Sequence, residues 1–275
     1  MAADPASRPT SSAPDITAYC RRIGYTGELQ PSISTLRSLH RAHVGEIPFE
    51  NIDALLGRPI LLDPASLQAK LVTARRGGYC FEQNLMFKDV LESVGFKVTG
   101  LAARVRGAGE YPLRARTHMA LLVEAEGKTF FADVGFGGTG LLEPLPFMAD
   151  REFDLPIVSF RFKEHDGLWA LQSSQLGAQW IDLYAFSLEP QERIDYEVAS
   201  WYTSTFSTSV FRHSLTGQRV RPHERVILRN RDLTILTSNG EEKRQVNSAA
   251  EARTVLRERV GLDLPPEIVL PESIF

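Results

Sequence analysis

Apolar residues recur at intervals of three and four between residues 80 and 94, which is the spacing of an amphipathic α-helix. The apolar positions are Phe81, Leu85, Met86, Val90, Leu91 and Val94. Gly77-Gly78 precedes the run and predicts a turn, and Gly95 follows it and suits a helix C-terminus. The pattern therefore predicts a helix that follows a double-glycine turn, places Cys80 at its first position and ends at Gly95.

Capping residues indicate further helices near both ends of the chain. Asp15 and Ser34 each precede a helical pattern and are predicted to cap it. Asp63-Pro64 joins a capping residue to a proline at the first helical position. A last helical pattern is predicted to begin after Ser248 and to continue through Val260.

Short apolar or alternating runs, which are typical of β-strands, dominate the middle of the chain. They lie at residues 97–105, 117–124, 128–134, 158–163, 168–172 and 179–184. A helical pattern near residues 190–202 and strand patterns at residues 225–228 and 232–237 follow. Many short strands in series predict a β-barrel or a strongly curved antiparallel sheet.

Two of these strands form a predicted hairpin that carries a histidine and an aspartate. Glu126-Gly127 lies between them and suits a tight turn. With these two residues as the loop, His118 and Asp133 are diagonal neighbours on one face of the hairpin. Moving the loop to Ala125-Glu126 sets the two residues directly opposite each other. Only a register shifted by one residue would place them on opposite faces of the hairpin. Both allowed registers therefore keep the two side chains together.

Cys80, His118 and Asp133 have the chemistry of a nucleophile, a base and a group that orients the base. The start of a helix favours negative charge, and the thiolate is the reactive form of cysteine. Each residue also has a structural interpretation: Cys80 as an inert core cysteine, His118 as a half-buried strand residue, and Asp133 as a turn former. Aspartate is disfavoured inside strands, so the position of Asp133 in an apolar hairpin already indicates that its carboxylate has a bonding partner.

Composition narrows the function classes. The chain has 275 residues, 43% hydrophobic and 24% charged, which is ordinary for a globular protein with one large or two to three small domains. A net charge of −3 without a basic run does not indicate nucleic-acid binding. No apolar stretch approaches membrane-spanning length, and no secretory signal is expected. Cys20 and Cys80 make no disulfide framework, Cys20 is expected in a helix core, and a reducing cytoplasm fits best.

The chain resembles the arylamine N-acetyltransferases. The matching motifs are Arg76-Gly77-Gly78-Tyr79-Cys80-Phe81-Glu82-Gln83-Asn84, Thr117-His118-Met119, Ala132-Asp133-Val134-Gly135-Phe136-Gly137, and upstream His43 with Ile47-Pro48-Phe49-Glu50-Asn51. The resemblance extends from Asp15 to the C-terminus, with its specific motifs at residues 43–138. It implies an α+β fold with a cysteine-protease-like catalytic core: a helical bundle carrying the nucleophile (15–96), an antiparallel β-barrel carrying His118 and Asp133 (97–198), and an α/β lid (199–275). Residues 1–14 are rich in Ala, Pro and Ser, and this composition predicts a flexible tail.

The resemblance also implies a reaction and a set of site residues. Acetyl-CoA would be the co-substrate, an aromatic amine or hydrazine the acceptor, and an acetylated Cys80 the intermediate, without metal or prosthetic group. The catalytic residues would be Cys80, His118 and Asp133. The expected acceptor contacts are Phe49, Val105, Phe136 and Phe206, and the expected acetyl-CoA contacts are Thr117 and Gly137. Separately from the resemblance, Arg76 and Glu50 are expected either to form a buried ion pair that supports the nucleophile turn or to be two solvated charges.

Other functions remain compatible with the same residues. A thiol hydrolase or a transglutaminase-like enzyme would use the same triad, and an amide synthase acting on a tethered acyl chain would be a closer relative. A ligand-binding protein that kept the site without turnover is a non-enzymatic alternative. A stable acetyl group on Cys80 after exposure to acetyl-CoA would distinguish the transferase, and alkylation of Cys80 far faster than of Cys20 would count against a mere binding protein.

Overall fold

The structure is a computed structural model that describes residues 13–106 and 114–275, so most of the tail predicted at residues 1–14 lies outside the described residues. The α-helices are α1 (Ile16–Ile23), α2 (Ile33–Glu46), α3 (Ile52–Leu55), α4 (Pro64–Leu67), α5 (Cys80–Val94), α6 (Arg193–Thr205) and α7 (Ala249–Val255). Short π-helical segments continue α4 (Gln68–Thr73) and α7 (Leu256–Val260), and 3-10 turns lie at Val210–Arg212 and Glu272–Ile274.

The strands form two antiparallel sheets. Their bounds are β1 (Phe49–Glu50), β2 (Lys97–Val105), β3 (His118–Ala125), β4 (Lys128–Ala132), β5 (Leu145–Pro146), β6 (Glu152–Asp154), β7 (Val158–His165), β8 (Leu168–Gln175), β9 (Ile181–Pro190), β10 (Thr216–Val220), β11 (Arg225–Arg229), β12 (Asp232–Thr237) and β13 (Gly240–Gln245). The larger sheet has the order β5-β4-β3-β2-β9-β8-β7-β6 and curves into a nearly closed barrel. The smaller has the order β1-β10-β11-β12-β13. Helices and antiparallel sheets together make an α+β fold, as predicted.

Helix capping agrees with the sequence at two of the three predicted positions near the N-terminus. The carboxylates of Asp15 and Asp63 accept hydrogen bonds of 2.9 Å from the backbone N–H three residues ahead. The prediction for Ser34 is wrong, because Ser32 caps α2 and accepts from the Thr35 N–H at 3.2 Å. Ser32 has the extended backbone that a capping residue requires, whereas Ser34 already lies in the first helical turn.

The hairpin of β3 and β4 has the predicted turn. Ala125 pairs with Lys128 and Leu121 with Ala132, so Glu126 and Gly127 form the loop. Both loop residues have positive φ, the backbone conformation that a type I′ turn needs. The first of the two weighed registers is therefore confirmed, and it places the positions of His118 and Asp133 diagonally.

The smaller sheet joins distant parts of the chain through a very short strand. Phe49 pairs with Gln218 of β10. It also forms a parallel bridge with Gly78, which lies two residues before Cys80 in the nucleophile turn. Strands β1, β10 and β13 were not predicted: β1 is too short to show periodicity, and β13 is polar throughout and mostly exposed. The domain limits inferred from the resemblance remain a proposal; the limit between barrel and lid falls inside α6.

Helix α5 is buried along almost its whole length. Its apolar side chains pack in one cluster with α1, α2 and the outer face of β3, and most of them are fully buried. Each such side chain contributes roughly 1.5–3 kcal/mol of hydrophobic stabilisation. Gly95 ends the helix with a left-handed backbone at φ 104°, as predicted. The helix that carries Cys80 is therefore a rigid support for the residue at its first position.

Candidate active site

Cys80 is the first residue of α5 and is almost completely buried, with 4% of its surface exposed. The carboxylate of Glu82 accepts from the Tyr79 N–H at 3.1 Å, which satisfies a donor that the helix start would leave unpaired. The Cys80 Sγ lies 3.6 Å from the carbonyl oxygen of Thr117, next to His118 on β3. The nucleophile candidate is thus held between the start of a buried helix and the start of a barrel strand.

A buried group of charges holds the turn before Cys80. Arg76 donates two hydrogen bonds to one oxygen of Glu50, at 2.6 and 2.8 Å, so the predicted ion pair is confirmed. Lys70 lies 2.6 Å from Asp53 and 2.7 Å from Glu82. Burial opposes the charge on Lys70, but the surrounding carboxylates hold its pKa above the ordinary value. Removing one partner of such a set leaves a buried unpaired charge, so the group fixes the turn strongly.

His118 and Asp133 are in direct contact. The Nε2 of His118 donates to Oδ2 of Asp133 at 2.7 Å, and both side chains are buried. Burial alone would lower the pKa of His118, but the charge and hydrogen bond of Asp133 outweigh it, and Cys80 adds to them, so the pKa is raised to about 10. Because Nε2 faces Asp133, Nδ1 is left for the sulfur of Cys80. The hairpin therefore brings the imidazole of His118 and the carboxylate of Asp133 together, as the sequence predicted.

Asp133 accepts three further hydrogen bonds. Asn84 Nδ2 and the Gly135 N–H donate to Oδ1 at 2.9 and 3.0 Å, and the Tyr184 hydroxyl donates to Oδ2 at 2.7 Å. Burial would raise the pKa of Asp133, but His118 and these donors lower it below the ordinary value. Asn84 lies one helical turn after Cys80, and this spacing in the sequence could have indicated that it reaches the same site. Nothing in the sequence around Tyr184, which lies on β9, indicates that it contacts Asp133.

His40 supports the backbone of Asp133 from α2. Its Nε2 accepts from the Asp133 N–H at 3.3 Å, which leaves Nδ1 to donate to the Leu142 carbonyl at 3.2 Å. The side chain is fully buried, and this burial lowers the pKa of His40 to about 4. His40 is therefore neutral at physiological pH and acts as a hydrogen-bond acceptor. Sequence reasoning missed this contact because it joins elements far apart in the chain.

A second buried histidine connects to the nucleophile turn. The Tyr19 hydroxyl donates to His43 Nδ1 at 2.7 Å, and His43 Nε2 donates to Gln83 Oε1 at 3.0 Å. Gln83 Nε2 in turn donates to the carbonyl of Gly78 at 2.8 Å. Burial lowers the pKa of His43 to about 3, so it is neutral as well. The chain of hydrogen bonds ties α1, α2 and α5 to the residue two positions before Cys80.

Gly135 allows the hairpin to reach α5. A Cβ at this position would lie 2.7 Å from the Cα of Cys80 and 2.9 Å from Nδ2 of Asn84. Real Cβ atoms do not approach other atoms so closely, so any side chain here would push the hairpin away from the helix. Glycine is needed at this position for close approach of two backbones.

The nucleophile and base candidates open onto a cavity of about 790 Å³. Cys80 and His118 line it, while Asp133 lies behind His118. The predicted acceptor contacts Phe49, Val105, Phe136 and Phe206 and the predicted donor contacts Thr117 and Gly137 all line this cavity. The structure thus brings every predicted site residue to one place. A nucleophile paired with an oriented imidazole in a cavity of this size can carry out acyl transfer on a small molecule.

Comparisons with known proteins agree on one family. A family model described as N-acetyltransferase matches residues 32–269. An arylamine N-acetyltransferase of Mycolicibacterium smegmatis is 40% identical over 92% of this chain and 93% of its own, and one of Escherichia coli is 39% identical over 90% and 89%. A solved arylamine N-acetyltransferase structure from M. tuberculosis superposes with a TM-score of 0.89 at 36% identity, covering 94% of this chain and 98% of its own. One from Mycobacterium marinum in complex with CoA gives 0.88 at 34%, covering 94% and 96%.

Proposed function

The chain belongs to the arylamine N-acetyltransferase family, and we propose that it transfers an acetyl group from acetyl-CoA to the nitrogen of aromatic amines or hydrazines through an acetylated Cys80. The observation that carries the proposal is the arrangement of Cys80, His118 and Asp133 at one wall of an aromatic-lined cavity. Acetyl transfer is the family's reaction, and the assignment of the three residues rests on their geometry.

In the first half-reaction the thiolate of Cys80 attacks the carbonyl carbon of acetyl-CoA. A new sulfur–carbon bond forms, the bond from that carbon to the CoA sulfur breaks, and the imidazolium of His118 gives its proton to the departing thiolate. The raised pKa of His118 keeps the proton on the imidazole until this moment. The backbone N–H of Cys80, at the start of α5, is a candidate donor to the oxyanion.

In the second half-reaction a neutral amine attacks the acetyl carbon. The nitrogen–carbon bond forms, the bond to Cys80 Sγ breaks, and neutral His118 accepts the proton that the nitrogen loses. Deacetylation returns the paired thiolate and imidazolium. Asp133 stays ionised in both steps, because four hydrogen bonds hold its carboxylate. It orients the imidazole through Nε2 and stabilises the imidazolium.

Aromatic side chains in the cavity support a flat acceptor. Phe49 and Phe136 lie close to the triad, and the ring of Phe136 packs edge-on against the imidazole of His118 at 5.1 Å between centroids. Phe206 stacks on Tyr202 at the exposed end of the cavity, with a centroid distance of 4.6 Å. Such rings bind planar aromatic molecules by offset stacking or edge contacts. Hydrazines with an aromatic ring fit the same surface.

A cytoplasmic location completes the proposal, because a nucleophilic cysteine must remain reduced. In the described parts of the chain, no helix combines the length and the apolar character that crossing a bilayer requires.

Intact-protein mass spectrometry tests the covalent step. Acetyl-CoA alone should leave one acetyl group on the parent protein and on Cys20→Ser, and none on Cys80→Ser. Adding an arylamine should remove the group and yield the acetylated amine. Cys20 is a matched control, since it is also a free cysteine next to the N-terminal core.

Kinetics provide an independent test. A covalent intermediate requires parallel double-reciprocal lines when both substrates are varied. Intersecting lines without acetylated enzyme would mean direct transfer in a ternary complex. Rapid loss of the acetyl group to water, without amine, would instead identify a thiol hydrolase.

A further inference from the structure

A second cavity, of about 490 Å³, lies against a different face of α6 from the active-site cavity. Tyr202 and Phe206 of this helix line the active-site cavity, whereas Trp201 and Thr205 line the second one. The loop at residues 57–63 forms the facing wall of the second cavity. The triad lies outside this lining, so the second cavity is a separate space with a chemistry of its own.

The walls of the second cavity expose a large apolar surface. Trp201 is 68% exposed and Leu61 is 58% exposed, although both line a concave site. Ile60 and Leu62 lie beside Leu61 in the same wall. Apolar surface is unfavourable in water, and an indole ring binds other aromatic rings by stacking or edge contacts. This wall therefore favours the aromatic part of a ligand.

Arg212 contributes a cation next to the C-terminal end of α6. Its N–H donates to the Ser209 carbonyl at 3.0 Å, and the Ser209 N–H donates to the Phe206 carbonyl at 2.9 Å, so the turn stays close to the helix. Its Nη1 lies 3.9 Å from the position that a Cβ on Gly57 would take, which places the guanidinium between the two walls.

The guanidinium of Arg212 lacks a partner among the residues that the structure describes. Its Nε is buried without a hydrogen-bond acceptor, and none of the described carboxylates is within ion-pair distance. Buried donors in folded proteins almost always have a partner, so this one indicates a ligand group that completes the site. Arginine binds a carboxylate through two parallel N–H···O bonds, which use its planar set of donors.

Two carboxylates also line the cavity, and they restrict where an anion can bind. Asp63 is engaged as the cap of α4, where it accepts a backbone hydrogen bond at 2.9 Å. Glu197 lies eight residues before Thr205 on α6, which is roughly 12 Å along the helix axis. An anionic group would therefore be repelled at the Glu197 end and attracted at the Arg212 end.

We propose that the second cavity binds a small aromatic carboxylate, with its carboxylate on the guanidinium of Arg212 and its ring against Trp201 and Leu61. The carboxylate gives the guanidinium an acceptor, and the ring covers the apolar surface that the fold leaves exposed. The inference goes beyond the proposed function, because the site uses neither the triad nor acyl transfer.

Titration with a matched pair of probes tests the proposal. The probes are 3-phenylpropionate and its neutral amide, 3-phenylpropionamide, and binding would be followed by ligand-detected NMR. The parent should bind the carboxylate about tenfold more tightly than the amide, the size expected for a hydrogen bond between charged groups. Arg212→Gln should weaken carboxylate binding about tenfold and leave amide binding within about twofold of the parent. Unchanged amide binding also shows that this variant is folded.

Further variants separate the ring contact and the location of the site. Trp201→Ala should weaken binding of both probes by a similar factor, because the ring contact is the same for both. Arg37→Gln removes an exposed arginine of α2 and should match the parent. Arg106→Gln removes a cation from the active-site cavity and should match the parent as well.

Three outcomes would overturn the inference. They are equal affinity of the parent for the two probes, unchanged carboxylate binding in Arg212→Gln, and carboxylate binding that is lost in Arg106→Gln but kept in Arg212→Gln. The last outcome would place the probe in the active-site cavity. Failure of the proposed function looks different, since it would show as absent acetylation of Cys80 and would leave these affinities unchanged.

Discussion

The hydroxyl of Tyr184 donates to Oδ2 of Asp133 at 2.7 Å, the same oxygen and the same distance at which His118 Nε2 donates. One carboxylate oxygen is thus shared by the imidazole and by a phenol from β9. The rings of Tyr184 and His118 also contact each other, with centroids 4.6 Å apart. Tyr184 therefore limits both the position of the Asp133 carboxylate and the tilt of the His118 imidazole.

Replacing Tyr184 with Phe should slow acetylation of Cys80 without unfolding the protein. The variant keeps the ring and loses one hydrogen bond to a buried charge, an interaction of about 1.5–3 kcal/mol, so we expect roughly a tenfold or greater loss in kcat/KM for acetyl-CoA. Tyr25→Phe is the control, since the Tyr25 hydroxyl donates to the Glu28 carbonyl at an exposed site away from the triad. Equal kinetics for both variants would show that the Tyr184 hydroxyl does not support Asp133.

Replacing Asp133 with Asn should remove the ion pair of thiolate and imidazolium. Asp133 raises the pKa of His118 against burial; without the carboxylate this pKa falls, and the imidazole is neutral at neutral pH. The thiolate then lacks its counter-charge. Iodoacetamide alkylation of Cys80 should be rapid at pH 6 in the parent and at least about tenfold slower in the variant, with the difference shrinking at alkaline pH. Coincident pH profiles would make Asp133 a structural strand-end residue.

Replacing Gly135 with Ala should separate the hairpin from α5. The new Cβ would lie 2.7 Å from the Cys80 Cα, so backbone must move, and overpacking of this kind costs about 1–3 kcal/mol of unfolding free energy. Because the displaced backbone carries the triad, activity should fall more than tenfold, well beyond the change in stability. Gly45→Ala is the matched control: it lies in α2 with open space around it and should be neutral or slightly stabilising. An active, fully stable Gly135→Ala protein would contradict the steric account.

Much of the site followed from local patterns, because its main elements are continuous in sequence. The α5 periodicity with Gly95 and the turn at Glu126-Gly127 are local signals, and they placed Cys80 and His118 correctly at the starts of α5 and β3. Asp133 was predicted inside a strand over residues 128–134, but β4 ends at Ala132 and Asp133 is the first residue after it. The ladder of β3 and β4 confirms the register from which the pairing of His118 with Asp133 was inferred. That the helical part and the barrel meet at the triad was implied only by the resemblance to a family, and the close contact of Gly135 with Cys80 was not predicted.

The residues that sequence reasoning missed act through long-range contacts. Tyr184 and His40 reach Asp133 from β9 and α2, and neither has a neighbour in sequence that signals a role. A half-polar strand such as β10 and a two-residue strand such as β1 carry too little periodicity to be recognised alone. The cap of α2 was misplaced for a different reason. Ser32 and Ser34 are both suitable capping residues, and the sequence does not show that only Ser32 has an extended backbone.

The buried histidines predict how stability responds to acid. Burial lowers the pKa of His40 to about 4, whereas an unfolded histidine titrates near ~6.5. Between these values the unfolded chain binds the extra proton, so stability falls as the pH falls, by about 2 kcal/mol at pH 5 for this one residue. In His40→Gln, the loss of unfolding free energy between pH 7.5 and pH 5 should be smaller by about that amount.

Urea unfolding at the two pH values measures this difference. His165→Gln is the control, because His165 is 93% exposed and its surroundings change little on unfolding. If His40→Gln loses as much stability on acidification as the parent, His40 is not the buried neutral acceptor that its contacts with Asp133 and Leu142 describe.

The pairing of Phe49 with both Gly78 and Gln218 has a consequence for biosynthesis. Strand β1 lies between the nucleophile turn and a strand that the ribosome makes about 170 residues later. Contacts of such sequence separation form slowly, and here the sheet cannot be completed before β10 has emerged. A nascent chain can already contain Cys80, His118 and Asp133 and still lack β10, the strand that pairs with β1 on the side away from the nucleophile turn. Acylation of Cys80 should therefore appear late in co-translational folding, and a chain released before residue 218 should remain unacylated by acetyl-CoA.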